Sequence, residues 1–599
     1  MKAKKIIKSL GLVFGDIGTS PIYTLTVIFL VLKPTEDNVI GVLSLIVWTL
    51  VTLVTVEYAW LATTLSKRGE GGGIVQRELL LPYLKTGKGA AAVSVLTFVG
   101  VSLLIGDGVI TPAISILSAV EGALLIPGLE NVSQDTLVLV ASGIAIALFS
   151  VQRRGTESVA GAFGPIMIVW FSALALSGVI SITQHPSVLK ALNPYYGIDF
   201  MFHHGIAGFF ILSEVILCAT GGEAMYADMG HLGRWPIVKA WYFVFGALLL
   251  NYFGQGAFLI THPGTKYILF EMILSEARVL YVPFLLLSIA ATIIASQAMI
   301  SGLFSIIYQG ITTRIMPLLK VDYTSSQLRS QIYIGVVNWF LLIFVLIIMN
   351  EFRESSNLAA AYGLAVTGSM SITAIMMALI FYKKRNFVKM SVSVFIAVID
   401  IIYFASNSFK IPHGGYWSIL IAMIPFAMFL IYTEGQKKLY RSLRPLRLDT
   451  FLISYKQIYE KLPRIKGTAL FFAKDAKEIA PYIVHTMFKN NIMYEDNIIV
   501  SIVRHDEPFG LNYFFKEDLA EGLREFEIRV GYMEVPDVEG ILKTAGVNEK
   551  AIFYGHDEIA GTNFIWKIFS FIKKITPTYM QFYKLPPNKL HGVITRTEL

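Results

Sequence analysis

Charge is what this chain has least of. Of its 599 residues only 15% are Asp, Glu, Lys or Arg, against 55% hydrophobic, where a soluble domain carries about 25% charge. So little charge cannot clothe a water-exposed surface, and one large soluble core is excluded. A single cysteine, Cys218, excludes an intrachain disulfide framework and a cysteine-based zinc cluster; it reads as a small apolar residue in a helix. Histidine is scarce within the apolar stretches, and neither an HExxH nor another convincing catalytic pair is present. The stretch after residue 433 contains no GxxxxGK[ST] or GxGxxG. Lys2, Lys4, Lys5 and Lys8 lead directly into an apolar run with no small-residue cleavage site after it, which predicts a retained first helix rather than a signal peptide.

What fills the space is long runs almost free of charge, such as Val39 to Leu65 and Tyr416 to Thr433. Runs of about 18 or more apolar residues cross membranes. About twelve spans are predicted, at 9–32, 39–65, 91–125, 135–151, 161–183, 204–228, 238–261, 280–310, 331–350, 357–382, 388–406 and 416–433. An even number puts both termini on one side. Lys67 and Arg68, Arg153 and Arg154, and the run Lys383, Lys384, Arg385 fall in loops of that same side, so those loops and both termini are expected in the cytoplasm. The formal net charge of +8 then reads as loop charge that sets topology, and a nucleic-acid partner is not expected.

From about Gln436 the character changes. Lys437, Lys438, Arg441, Arg444 and Arg447 suit a basic collar on an anionic leaflet. Beyond them, 468–472, 497–503, 526–535 and 551–554 read as strands, and 477–488 and 537–544 as helices. That alternation predicts a small α/β domain with a mostly parallel sheet. Residues 565–575, apolar and aromatic with Lys567, Lys573 and Lys574, read as an interfacial, dimer-facing or packed core helix. The expected domains are therefore 1–433, in the lipid bilayer of the cell membrane, and 434–599, cytosolic.

Three spans carry polar interruptions: Gly15-Asp16-Ile17-Gly18-Thr19-Ser20-Pro21, Gly106-Asp107-Gly108-Val109-Ile110-Thr111-Pro112 and Thr220-Gly221-Gly222-Glu223. Glycine weakens each helix, Ser20-Pro21 reads as an N-cap and a helix-start proline, and Pro112 deprives the Gly108 carbonyl of its partner. A bilayer tolerates freed backbone only where it is buried in protein or lines a cavity. Spans 1 and 6 open two five-span blocks, 1–5 and 6–10, which an odd span count leaves inverted. Paired breaks in inverted repeats point to a midplane binding site.

Asp16, Asp107, Glu121, Glu223 and Asp400 all fall within these spans. Each costs about 2.5–3.5 kcal/mol at a helix centre on insertion scales. Asp16 sits beside Thr19 and Ser20 with Tyr23 further along, and Asp107, Thr111 and Ser115 share a helix face at i, i+4, i+8. Thr220 and Glu223 lie at the third break. Hydroxyls, carbonyls and a carboxylate are what a monovalent cation needs in place of its hydration shell. Tyr362, beside Gly363, has a hydroxyl to add, though packing is the default reading. Glu57 and Glu214 could equally pair with a neighbouring helix and are set aside. Proton coupling requires a buried carboxylate, with Glu223 the first candidate and Asp16 the second.

GDIGTSPIYTL at 15–25, GDGVITPAISILSAVEG at 106–122 and GGEAMYADMGHLG at 221–233 resemble the KUP/HAK/KT potassium uptake permeases, as does the ending HGVITRTEL at 591–599. The resemblance implies a LeuT-like fold, a 5+5 inverted repeat plus two spans, and K+ uptake driven by H+ symport in a homodimer. It implies K+ ligands at Asp16, Tyr23, Thr111, Ser115, Thr220 and Tyr362, with the ion at Asp16, Thr111 and Thr220. It also implies transport or proton roles for Asp16, Asp107, Glu121, Glu223 and Asp400, and no cofactor. In some bacterial potassium importers cytosolic domains bind cyclic di-AMP, an expectation that no motif here carries. Three other readings stay open. They are a K+ channel or uniporter, although no TVGYG-like filter is present, an amino-acid symporter of the same fold, and a membrane enzyme.

Overall fold

The computed structural model describes residues 2–66, 70–84, 87–154, 157–323, 332–443, 445–473, 478–505, 509–531, 534–560, 563–576, 583 and 585–598. Of the residues singled out above, Lys67, Arg68, Arg444, Lys477 and Leu599 lie outside them. The chain forms two compact units, Met1–Ile306 with Val321–Phe426, and Ile307–Lys320 with Ala427–Leu599.

The first unit is helical. Eleven helices are long and apolar enough to cross a membrane, and a twelfth span results if the bent pair Lys4–Leu12 and Gly15–Val31 is counted as one. The chain is a multi-pass membrane protein. The remaining spans are Glu36–Thr64, Lys88–Leu125, Gln134–Val151, Gly161–Gln184, Ile206–Ala227, Arg234–Thr261, Arg278–Thr312, Gly335–Phe352, Ser355–Lys383, Phe387–Ser408 and Tyr416–Leu443. The sixth and tenth are among the most enclosed, with 72% and 78% of their apolar windows buried against 28% for the fourth. Backbones meet where small residues allow it. A Cβ on Gly254 of span 7 would lie 2.3 Å from the Gly178 Cα of span 5.

Two of the three expected interruptions are present. Span 1 bends by 69° between Leu12 and Gly15, and Ser20–Ile22 tightens to a 3-10 turn. Span 6 passes from a 3-10 turn at Ile216–Ala219 to an extended Thr220 and a left-handed Gly221, φ +80°. Span 3 differs from expectation: Lys88–Glu121 is one continuous helix with Pro112 inside it. Its glycines serve close packing instead. A Cβ on Gly108 would stand 2.0 Å from the Leu303 Cδ1, and one on Gly106 would stand 3.3 Å from the Ser418 carbonyl. Ser20 is also corrected: it is helical and caps nothing, because its hydroxyl is turned towards span 6.

Among the described residues the second unit holds a short antiparallel pair, Leu446–Arg447 with Glu478–Ile479, and a six-stranded sheet: β1 (Ile465–Ala473), β2 (Tyr494–His505), β3 (Leu511–Phe515), β4 (Leu523–Gly531), β5 (Glu549–Ala560) and β6 (Leu590–Glu598). Their order is β6-β5-β1-β2-β4-β3, parallel except for the antiparallel β3–β4 pair. Both faces are covered, as a parallel sheet requires. Ala469, Phe471, Ile499 and Phe553 pack under the helix Leu448–Lys461, and Leu470, Ile498, Val500 and Ile528 under Val538–Thr544. β4 ends at Gly531, short of the expected Val535, and the edge strands β3 and β6 were not expected. Helix Phe564–Ile575 buries Phe569 against Tyr432 and Leu439 and leaves Phe564, Phe571 and Ile575 exposed.

Candidate cation site

The two broken helices meet. The Ser20 Oγ lies 2.9 Å from the Thr220 Oγ1, across 200 residues of sequence. Each hydroxyl has one proton, which fixes the direction of the chain of bonds. Thr220 donates to the Leu217 carbonyl at 2.9 Å, so Ser20 donates to Thr220, and Tyr23 OH, 3.4 Å away, donates to Ser20. Thr19 likewise donates to the Asp16 carbonyl at 2.9 Å, which leaves Ser115 to donate to Thr19 across 3.4 Å. Gly221 has two reasons to be glycine: its positive φ, and the 2.8 Å that would separate its Cβ from the Asp16 Oδ2.

Asp16 is 3% exposed. Tyr362 OH of span 10 lies 3.4 and 3.3 Å from its two carboxyl oxygens and donates to them. The Thr111 hydroxyl lies 3.1 Å from Tyr362 OH and 3.3 Å from the Asp107 Oδ1, with a proton for one at a time. The backbone freed at the first break is already occupied: Trp170 Nε1 donates to the Gly18 carbonyl at 2.8 Å and Gln255 Nε2 to the Pro21 carbonyl at 3.0 Å. The structure thus brings Asp16, Tyr23, Asp107, Thr111, Ser115, Thr220 and Tyr362 into one buried network from spans 1, 3, 6 and 10, together with Thr19 and Ser20.

Glu223 lies one turn past the second break, within electrostatic reach of Asp16 and Asp107. One of its carboxyl oxygens has no hydrogen-bond partner, nor has either of Asp400 or the Oδ2 of Asp107. Glu121 stands apart from this network. It accepts from the Ser355 backbone N–H at 2.8 Å and from the Ser355 hydroxyl, capping the start of span 10. Glu214 pairs with Lys410 at 2.6 Å. Glu57 does not take the helix–helix pairing open to it: it is completely buried with both carboxyl oxygens unpartnered. Its one sequence signal is an acid inside the run Val39 to Leu65.

Chemically the network is all oxygen. Hydroxyls that keep their acceptor lone pairs surround two carboxyl groups, and among the described residues no group of three His, Cys, Asp or Glu could hold a metal ion. Such a donor set suits a hard, weakly hydrated monovalent cation rather than a transition metal.

Comparison with known proteins agrees. Residues 3–437 match the model of the K+ potassium transporter integral membrane domain and residues 466–599 that of the K+ potassium transporter C-terminal domain. The "Probable potassium transport system protein Kup" of Methanosarcina acetivorans is 63% identical over 99% of this chain and 98% of its own length. That of Methanosarcina barkeri is 61% identical over 100% and 99%, and that of Geotalea uraniireducens 60% over 99% and 98%. A solved Eremococcus coleocola manganese transporter covers 73% of this chain and 94% of its own at 11% identity, with a TM-score of 0.34. Through both of its domains, then, this chain belongs to the K+ potassium transporter family.

Proposed function

We propose that the protein takes up potassium across the cell membrane by K+/H+ symport with alternating access, as a transporter and not an enzyme. The observation that carries this reading is the oxygen network where two broken helices meet around Asp16. Asp16, Tyr23, Thr111, Ser115, Thr220 and Tyr362 would hold K+, with Asp107, Glu223 and Asp400 carrying or steering protons. For Glu121 we propose an indirect part, fixing the start of the helix that bears Tyr362. Contact between the first helices of the two five-span blocks supports a LeuT-like 5+5 repeat in which those blocks move about the site. Two carboxyl groups in the network disfavour an amino-acid substrate, whose own carboxylate they would repel.

The direct test is Rb+ uptake with internal pH in proteoliposomes, comparing wild type, Asp16→Asn and Glu223→Gln. Uptake with acidification, lost in both variants, supports symport; flux without acidification, or variants that transport normally, refutes it. Homodimerisation and a regulatory role for the C-terminal unit, including cyclic di-AMP binding, are proposed on the family resemblance alone. Light scattering of the purified chain and calorimetric titration with the nucleotide test them.

A further inference from the structure

Glu57 occupies the part of span 2 where the helix widens to i→i+5 bonding, Leu50–Leu61. Local widening of this kind recurs at functional sites. The side chain is completely buried and neither carboxyl oxygen has a partner. Two further acids face it. Asp400 of span 11 has both oxygens unpartnered and Glu223 has one. The charges that act on Glu57 are those of Asp400 and Glu223, all of one sign.

Among the described residues, the elements packed around Glu57 supply no compensating cation. On its own helix the titratable neighbour is Tyr58. Span 11 adds Tyr403, whose hydroxyl is bonded to Thr49 at 2.6 Å. Span 6 adds Cys218, whose thiol faces the Ile46 carbonyl at 4.0 Å, and Tyr226, whose hydroxyl donates to the Leu65 carbonyl at 2.8 Å. The cations at the start of span 7 are engaged elsewhere: Arg234 donates to Thr63 at 3.0 Å and Lys239 lies over the Tyr242 ring. Among the described residues no ion pair joins Glu57, Glu223 or Asp400 to a Lys or Arg. Three acids so placed in a low-dielectric interior cannot all be ionised. Either protons or a bound cation must neutralise them. Protons fit better, because the hydroxyls at these acids are few, Tyr58 beside Glu57 and Ser369 beside Glu223, whereas the fuller shell that would complete a cation's coordination is around Asp16.

We propose that Glu57 carries a transported proton: with Asp400 and Glu223 it forms a buried proton store, linked electrostatically through Glu223 to the Asp16 site. A cation arriving at Asp16 favours the ionised form of Glu223. The proton leaving Glu223 is taken up by Asp400 or Glu57 and released from there to water as the transporter opens inward. The inference rests on the symport reading above and extends it to a residue outside the ion network.

The experiment reconstitutes the full chain as wild type, Glu57→Gln and Glu57→Asp. It records Rb+ binding by the purified proteins, and Rb+ uptake and internal acidification across a series of external pH values. Glu57→Gln is expected to bind Rb+ like wild type while Rb+-driven acidification falls about a hundredfold, the lower end of what a positioned proton carrier contributes. Glu57→Asp is expected to restore acidification with a displaced pH profile. Wild-type uptake and pH profile in Glu57→Gln would overturn the proposal. Loss of Rb+ binding in folded Glu57→Gln would overturn it too, by making Glu57 part of the ion site. If Glu57→Gln does not fold, Glu57→Asp decides: a displaced profile supports the proposal and an unchanged one refutes it. Wild type that takes up Rb+ without acidification removes the symport reading itself, which is distinguishable because it needs no variant.

Discussion

In the C-terminal unit the buried acids of the sheet have fixed cations. Lys516 lies 2.7 Å from Glu525 and also reaches Glu527, which Arg529 contacts as well; Glu549 meets Lys589 at 2.9 Å, and Arg524 clamps Asp496. In the membrane unit Asp16, Asp107, Glu57, Glu223 and Asp400 are as deeply buried, yet among the described residues none forms an ion pair. Glu214, with Lys410 at 2.6 Å, shows that the membrane unit is able to use a fixed cation. Burying an unpaired charge costs several kcal/mol. The difference therefore separates two uses of an acid. On the proposed symport reading, a permanently neutralised one holds structure, whereas one left for a mobile cation, K+ or H+, serves transport.

The comparison breaks most sharply at Asp16. Asp16→Asn keeps the shape and removes the charge. Loss of one partner of a buried ionic contact costs about 2–5 kcal/mol, so Rb+ affinity is expected to fall about thirtyfold or more in direct binding assays. A smaller but still large effect is expected of Gly221→Ala. Left-handed backbone costs a non-glycine residue about 1–2 kcal/mol, and the new methyl would displace the Asp16 carboxylate from 2.8 Å. Uptake should fall, while Gly233→Ala, at the same φ with nothing within 4 Å, should cost stability only. Rb+ uptake by the two variants checks the distinction.

The structural class of acids predicts a different pH behaviour. Burial alone would raise the Glu527 carboxyl, but hydrogen bonds and charge from Lys516 and Arg529 hold it below its usual value. A depressed folded pKa contributes stability above the unfolded value of about 4.3, lost as pH falls through the folded value. Glu527→Gln should therefore lower the unfolding temperature of the detergent-solubilised chain near neutral pH, by the equivalent of about 1 kcal/mol or less for so partly exposed a cluster. The difference should vanish in acid. The smallest functional effect is expected of Glu121→Gln, a cap variant. It should cost about 1 kcal/mol of stability and change Rb+ affinity by less than about threefold.

Much of this was legible in residue order because the bilayer imposes a strict code. Apolar runs give the spans, and Gly15 to Pro21 and Thr220 to Glu223 mark real breaks. The same glycine signal misled at Gly106 and Gly108. Glycine marks either a weak helix or a close neighbour, and only the position of Leu303 reveals which. Ser20 misled similarly, since a hydroxyl before proline has the look of a cap until Thr220 is seen beside it. Asp107, Thr111 and Ser115 were readable from helix periodicity alone. That Tyr362 touches Asp16 is a contact 346 residues apart, beyond any local pattern. In the sequence Glu57 could equally pair with a neighbouring helix; its isolation follows from what surrounding helices fail to provide. In the C-terminal unit, the buried strands were visible as apolar runs, whereas the edge strand β3 alternates weakly and was missed.

The most direct test of mobile neutralisation is whether a proton travels with each ion. Wild type and Asp16→Asn in proteoliposomes, with weak buffer and a pH indicator dye inside, are given an inward Rb+ gradient near neutral pH. Internal acidification should rise in proportion to the Rb+ taken up by wild type, and uptake and acidification should fall together in Asp16→Asn. Saturable Rb+ uptake by wild type with no acidification would contradict the account.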